Sequence, residues 1–118
     1  MPNSFLDGLF SLAGQTAVVI GGTGVLGGAL CDGLAQAGAH VVVAGRSAER
    51  GAERVRAIAA LGGTASYEEV DVTSRQSLEA LRDRVIASRG AVDILVNCAG
   101  VNSATPYEKI TDEDWDRV

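Results

Sequence analysis

The run Gly21-Gly22-Thr23-Gly24-Val25-Leu26-Gly27-Gly28 places glycines at the spacing Gly21-x-x-Gly24-x-x-Gly27. Glycine at such positions lets a tight turn take positive φ and lets main-chain amides approach an anion with no Cβ in between. The chemistry this suits is the holding of a pyrophosphate at the start of a helix. The Lys-Ser/Thr ending of a P-loop is missing, which disfavours nucleoside triphosphate hydrolysis. About 20 residues beyond the glycines, dinucleotide folds that select NAD place an acid on the ribose hydroxyls. Here that place reads Ala44-Gly45-Arg46-Ser47. The acid is gone, and Arg46, with Ser47 beside it, offers a guanidinium suited to a ribose 2′-phosphate. The expected cofactor is NADP, with NAD as the alternative; the plain reading of Arg46 is an exposed arginine at a helix start.

Other reactive side chains are few. Cys31 and Cys98 have neither CxxC spacing nor histidine partners, so no metal site is expected and both are read as free packing thiols of a reducing compartment. The sole histidine, His40, begins an apolar run. Ligands in open parallel sheets bind beyond the opposite, carboxyl ends of the strands, so His40 is read as a surface or strand-edge residue.

The elements that must position these groups follow from the apolar pattern. Residues 15–20 form a short apolar run ending at the glycines, as a buried parallel strand does. Val25, Leu26, Ala29, Leu30, Leu34 and Ala37 then recur at helical intervals up to Gly38. A second strand is expected at 40–44, then a helix capped by Ser47 that stops at Gly62-Gly63, and a third strand at about 65–70. Thr73 or Ser74 can cap the next helix, which ends before Gly90, and 92–96 reads as a fourth strand. Thr111-Asp112-Glu113-Asp114 opens one more helix, its acids favoured by the helix dipole. Residues 1–14 read as a surface lead-in whose Phe5, Leu9, Phe10 and Leu12 pack on the sheet edge.

Strand and helix in alternation with short connections imply an α/β fold, a parallel sheet with helices on both faces. The 118 residues are the length of one domain, and 47% hydrophobic with 21% charged is ordinary globular composition. A net charge of −5 has the wrong sign for a nucleic-acid groove. No apolar run approaches the roughly 18 residues of a membrane span. The N-terminus lacks a basic segment followed by an apolar one, so a cytoplasmic setting is expected.

Taken in order, four features resemble the short-chain dehydrogenase/reductase family: the glycine turn at 21–27, Asp71-Val72 after the third strand, Asn97-Cys98-Ala99-Gly100 after the fourth, and Thr111 to Trp115 opening the next helix. They span essentially the whole chain. The resemblance implies a Rossmann-type sheet in the order 3-2-1-4. It implies that Asp71 and Val72 flank the adenine, that Asn97, Ala99 and Gly100 support the fourth strand and the ribose side, and that the backbone at Thr23 and Leu26 faces the cofactor. Three positions depart from the usual motif: Ile20 stands for threonine, Val25 for the middle glycine of the commonest version, and Cys98 for a second asparagine.

The family's proton-transfer pair is a tyrosine with a lysine four residues later on one helix face. The single lysine, Lys109, has Thr105 at that spacing, while Tyr67 is followed by Asp71 and Tyr107 by Thr111. No catalytic residue is therefore assigned. Residues 1–118 are expected to be the N-terminal part of one dinucleotide-binding domain, ending early in the helix after the fourth strand. The implied activity is hydride transfer between NADP(H) and an alcohol or carbonyl, with this chain holding the cofactor half. A non-catalytic dinucleotide-binding module and an inactive gene fragment are the alternatives. Ser103, Thr105 and Pro106 fall near the expected substrate mouth, and the fourth strand, if left as an edge, would favour homo-oligomers.

Overall fold

In the computed structural model, which describes residues 4–100 and 104–118, the valine-rich runs become strands because both of their faces are covered. β1 (Thr16–Ile20) is buried throughout, and β2 (His40–Gly45) is buried from its second residue on. β3 (Thr64–Glu69) and β4 (Ile94–Asn97) flank them in a parallel sheet of order β3-β2-β1-β4. The expected fold class and strand order are both present. Ile20 is in register with Ala44 on one side and Asn97 on the other, so three strands reach their carboxyl ends at one level.

Alternation along each strand divides the core between two faces. Val19, Val41 and Val43 meet Cys31 and Ala35 of α2 (Val25–Gln36) and Ile58 of α3 (Ala48–Ala60). On the opposite face Val18, Ile20, Val42 and Ala44 meet Leu81 and Val85 of α4 (Arg75–Arg89). Each fully buried valine or isoleucine in these layers contributes about 1.5–3 kcal/mol.

Local chemistry sets the boundaries. Ser47 caps α3 by accepting from the Arg50 amide, and Ser74, rather than Thr73, caps α4 by accepting from Ser77. β4 begins at Ile94, two residues later than the apolar run suggests. At Asp93 the carboxylate, at 2.8 Å, takes the Thr16 N–H. β3 starts one residue early at Thr64, and Val70, buried just past its end, still donates its amide to the Gly45 carbonyl at 3.1 Å.

Two expectations change. The lead-in contains a helix, α1 (Ser4–Phe10), with no buried residue. Phe5, Leu9 and Phe10 are exposed rather than seated on the sheet edge; only Leu12 is half-buried. In α2 the buried stripe is Gly27, Gly28, Cys31 and Ala35, while Val25 is 93% and Leu26 70% exposed. A Cβ on Gly27 would run into the Gly21 carbonyl, so the start of α2 docks this closely only over a bare Cα there. After β4, among the described residues, come a 3-10 turn, Tyr107–Lys109, and α5 (Asp112–Arg117), capped by Thr111. No helix among the described residues is long and apolar enough to cross a membrane.

Candidate functional site

Above the carboxyl ends of the strands lies an open cleft of about 620 Å³, walled in part by Gly21, Thr23 and Gly24 from the glycine turn and by Arg46 and Ser47 from the β2–α3 turn. Val72, Ala99 and Gly100 close its other side. Eight of the twelve residues singled out from sequence thus share one wall-to-wall space, of a size usual for ligand sites.

The turn is shaped by its glycines unequally. Gly21 has φ +87, and a Cβ there would lie 2.6 Å from the Ala99 amide nitrogen, so the β1 and β4 ends meet only over a bare Cα. Gly24 is the N-cap of α2, with φ −82 and no side-chain cap. A Cβ on Gly24 would meet only the Gly21 oxygen, at 3.4 Å, which leaves the helix start open to the cleft. The helices α3, α4 and α5 all have a serine or threonine hydroxyl on their first turn. The amides that open α2 have none, and the positive end of its dipole faces the cleft.

The β2–α3 turn brings the charge. Arg46 is exposed and in no ion pair among the described residues. Arg50, one helical turn on, lines the same cleft, so two guanidinium groups flank Ser47. Sequence reasoning passed over Arg50, although its spacing from Arg46 along the start of a capped helix was available as a signal. The cleft is also lined by Gly45, Val70, Thr73 and Cys98, each adjacent in sequence to a residue that was singled out, and by Arg117 and Val118.

Four of the singled-out residues sit outside the lining. Gly27 is buried beneath the turn. Leu26 projects from the first turn of α2 into solvent. Asn97 ends β4 in register with Ile20. The Asp71 carboxylate is taken by Thr73, accepting from its amide at 3.0 Å and its hydroxyl at 2.7 Å. Those two bonds, with Arg46 nearby, hold the Asp71 carboxyl below the usual range, and its amide in turn donates to Ser77 at 2.9 Å. Asp71 fixes the β3–α4 turn that carries Val72 and Thr73 to the cleft.

The remaining reactive groups lie apart from this chemistry. Cys31 is fully buried, and burial pushes its thiol up to about 11. Cys98 is half-buried and lines the cleft, so of the two cysteines only Cys31 is purely a packing residue. His40 sits at the amino end of β2, its ring nitrogens 3.3 and 3.1 Å from the Thr64 and Ser66 hydroxyls. No cluster of metal-ligating side chains occurs among the described residues. Of the residues expected near a substrate mouth, Thr105 donates to Asp114 at 3.0 Å, Pro106 is exposed, and Ser103 lies outside the described residues.

A bare-backbone helix start, a glycine turn and an uncapped dipole end beside two arginines give a cleft suited to an anionic ligand on a doubly wound sheet. Residues 15–118 match the family profile described as short chain dehydrogenase. The 3beta-hydroxysteroid dehydrogenase 1 of Eggerthella lenta is 42% identical over 108 residues, 91% of this chain and 41% of its own. Among solved structures, a 7α-hydroxysteroid dehydrogenase complexed with NADH and 7-oxo glycochenodeoxycholic acid superposes with a TM-score of 0.84 at 38% identity, covering 99% of this chain and 44% of that one. A metagenomic short-chain oxidoreductase in complex with NADP gives 0.81 at 34% identity, over 90% and 48%. The chain belongs to the short-chain dehydrogenase/reductase family, and it spans less than half the length of each of these relatives.

Proposed function

We propose that residues 1–118 are the N-terminal, cofactor-holding part of a dinucleotide-binding domain whose complete protein transfers hydride between NADP(H) and an alcohol or carbonyl in the cytoplasm. The observation that supports this reading best is the meeting, in one cleft, of the uncapped α2 start with Arg46 and Arg50. Amides at the first turn of α2 would hold the pyrophosphate, and Gly24 leaves room for it. Arg46, Ser47 and Arg50 would hold a 2′-phosphate, Val72 and Thr73 would line the adenine, and Ala99 and Gly100 the ribose. When bound, the nicotinamide ring supplies or accepts the hydride. Relatives with solved structures divide between NADP and NADH, so the choice for this chain rests on its own cleft, which is lined by Arg46 and Arg50 and, among the described residues, by no Asp or Glu.

Calorimetric titration with NADPH and NADH tests the reading. A charge-assisted phosphate contact is worth about 1.5–3 kcal/mol, so a preference for NADPH of roughly tenfold to a hundredfold is expected, most of it erased by Arg46→Ala. Equal affinities in the unmutated chain would overturn the assignment.

A further inference from the structure

The Gly45 carbonyl, at the end of β2, accepts two hydrogen bonds, from the Val70 amide at 3.1 Å and from the Tyr67 hydroxyl at 2.7 Å. The first continues the β2–β3 ladder, and the second is a side chain reaching two residues along its own edge of the sheet. A carbonyl with both lone pairs engaged has a fixed direction. Because the peptide is planar and trans, that direction also fixes the Arg46 N–H, which points the opposite way, away from β3. Room for the tyrosine is built in. A Cβ on Gly51, in the first turn of α3, would overlap the Tyr67 ring, so a bare Cα at 51 lets the ring slide under the helix that carries Arg50. Gly45 is held from its other side too, where a Cβ would lie 2.7 Å from the Thr23 hydroxyl of the glycine turn.

We propose that Tyr67 is a positioning residue for cofactor choice: its hydroxyl sets the peptide plane between Gly45 and Arg46, and so aims the Arg46 backbone and guanidinium at the 2′ position of the adenosine ribose. This rests on the dinucleotide reading above. Tyr67 bonds the turn and does not line the cleft, so its effect should be confined to the part of a ligand that the turn reads. The hydroxyl is a donor at neutral pH as in any tyrosine, and burial and the neighbouring Glu69 raise the phenol further.

The probes are adenosine 2′,5′-bisphosphate and 5′-AMP, which differ only in the 2′-phosphate, titrated calorimetrically into the purified chain. Unmutated protein should prefer the bisphosphate. Tyr67→Phe keeps the ring and removes the one hydrogen bond, and should weaken the bisphosphate roughly threefold to tenfold while leaving 5′-AMP within about twofold. Gly51→Ala, which must displace the ring, should shift the preference in the same direction. Equal weakening of both ligands in Tyr67→Phe would mark a general structural role and overturn the proposal, as would an unchanged preference. Absence of any preference in the unmutated chain would instead overturn the NADP reading, and this inference with it.

Discussion

Gly21 and Gly24 look equivalent in the motif but answer to different constraints. Gly21 is required by the chain itself, through φ +87 and the 2.6 Å approach of the Ala99 amide to any Cβ. Gly24 is conformationally ordinary, so on the proposed reading the demand for a bare Cα there would come from the ligand. Gly21→Val should therefore cost both stability, by about 1–3 kcal/mol of backbone strain before the clash is counted, and all measurable dinucleotide binding. Gly24→Ala should leave the thermal midpoint in place while cutting NADPH affinity roughly tenfold or more, about 1.4 kcal/mol. Normal affinity in a well-folded Gly24→Ala protein would remove the helix start as the phosphate seat. The glycines and Arg46 were legible because their chemistry is local in sequence. Arg50 could have been found by its spacing on a capped helix, whereas Tyr67 could not, since its contact arises only where a strand edge meets Gly45.

Elements were legible wherever large apolar residues mark the buried side. β1, β2 and α4 follow that rule. α2 breaks it, because its buried stripe is Gly27, Gly28, Cys31 and Ala35, with Leu34 packed beside them, while Val25, Leu26 and Leu30 turn outward. A periodicity read from Val25, Leu26 and Leu30 traces the wrong face of a correctly placed helix. α1 fails for a related reason: Phe5, Leu9 and Phe10 have apolar spacing but remain exposed. The β2–β3 edge offers a test of its own. Partial burial, and then Arg89, lower the His40 pKa below the usual histidine value near 6.5, so the folded edge favours the neutral ring. A group with a depressed folded pKa stabilises fully above its unfolded value, and that stability is lost as pH falls through the folded one. Thermal midpoints should decline as pH drops below about 6.5, and His40→Gln should flatten that part of the profile. An identical decline in the variant would place the sensitive group elsewhere.

At the scale of the whole molecule, the two faces of the sheet are finished to different degrees. α2 and α3 cover one. On the other, α4 leaves an apolar groove of about 330 Å³ lined by Val18, Ile20, Leu78, Val92 and Leu95 among others. Leu95 is 58% exposed, and among the described residues β4 pairs only with β1. An open apolar edge with unpaired backbone groups is a template for association. The 118-residue chain alone should therefore sediment as a species larger than its 12.1 kDa monomer, and Leu95→Lys should shift it toward the monomer. A monodisperse monomer with a sharp melt would contradict this. The same chain, having no Tyr-x-x-x-Lys pair, should give no cofactor-dependent turnover with a panel of alcohols and carbonyls.

The contrast between the two thiols gives the molecule a chemical record of its own opening. Cys31, fully buried under Gly22 with its ionisation pushed up to about 11, can be alkylated only when the sheet and α2 separate. Cys98 lines the cleft and is half-buried, so it should react from the folded state. Iodoacetamide followed by mass spectrometry should add one label quickly and the second slowly. NADPH should shield the first label, and through its stabilisation of the folded form should also delay the second. The two time courses then separate occupancy of the cleft from integrity of the fold in a single sample.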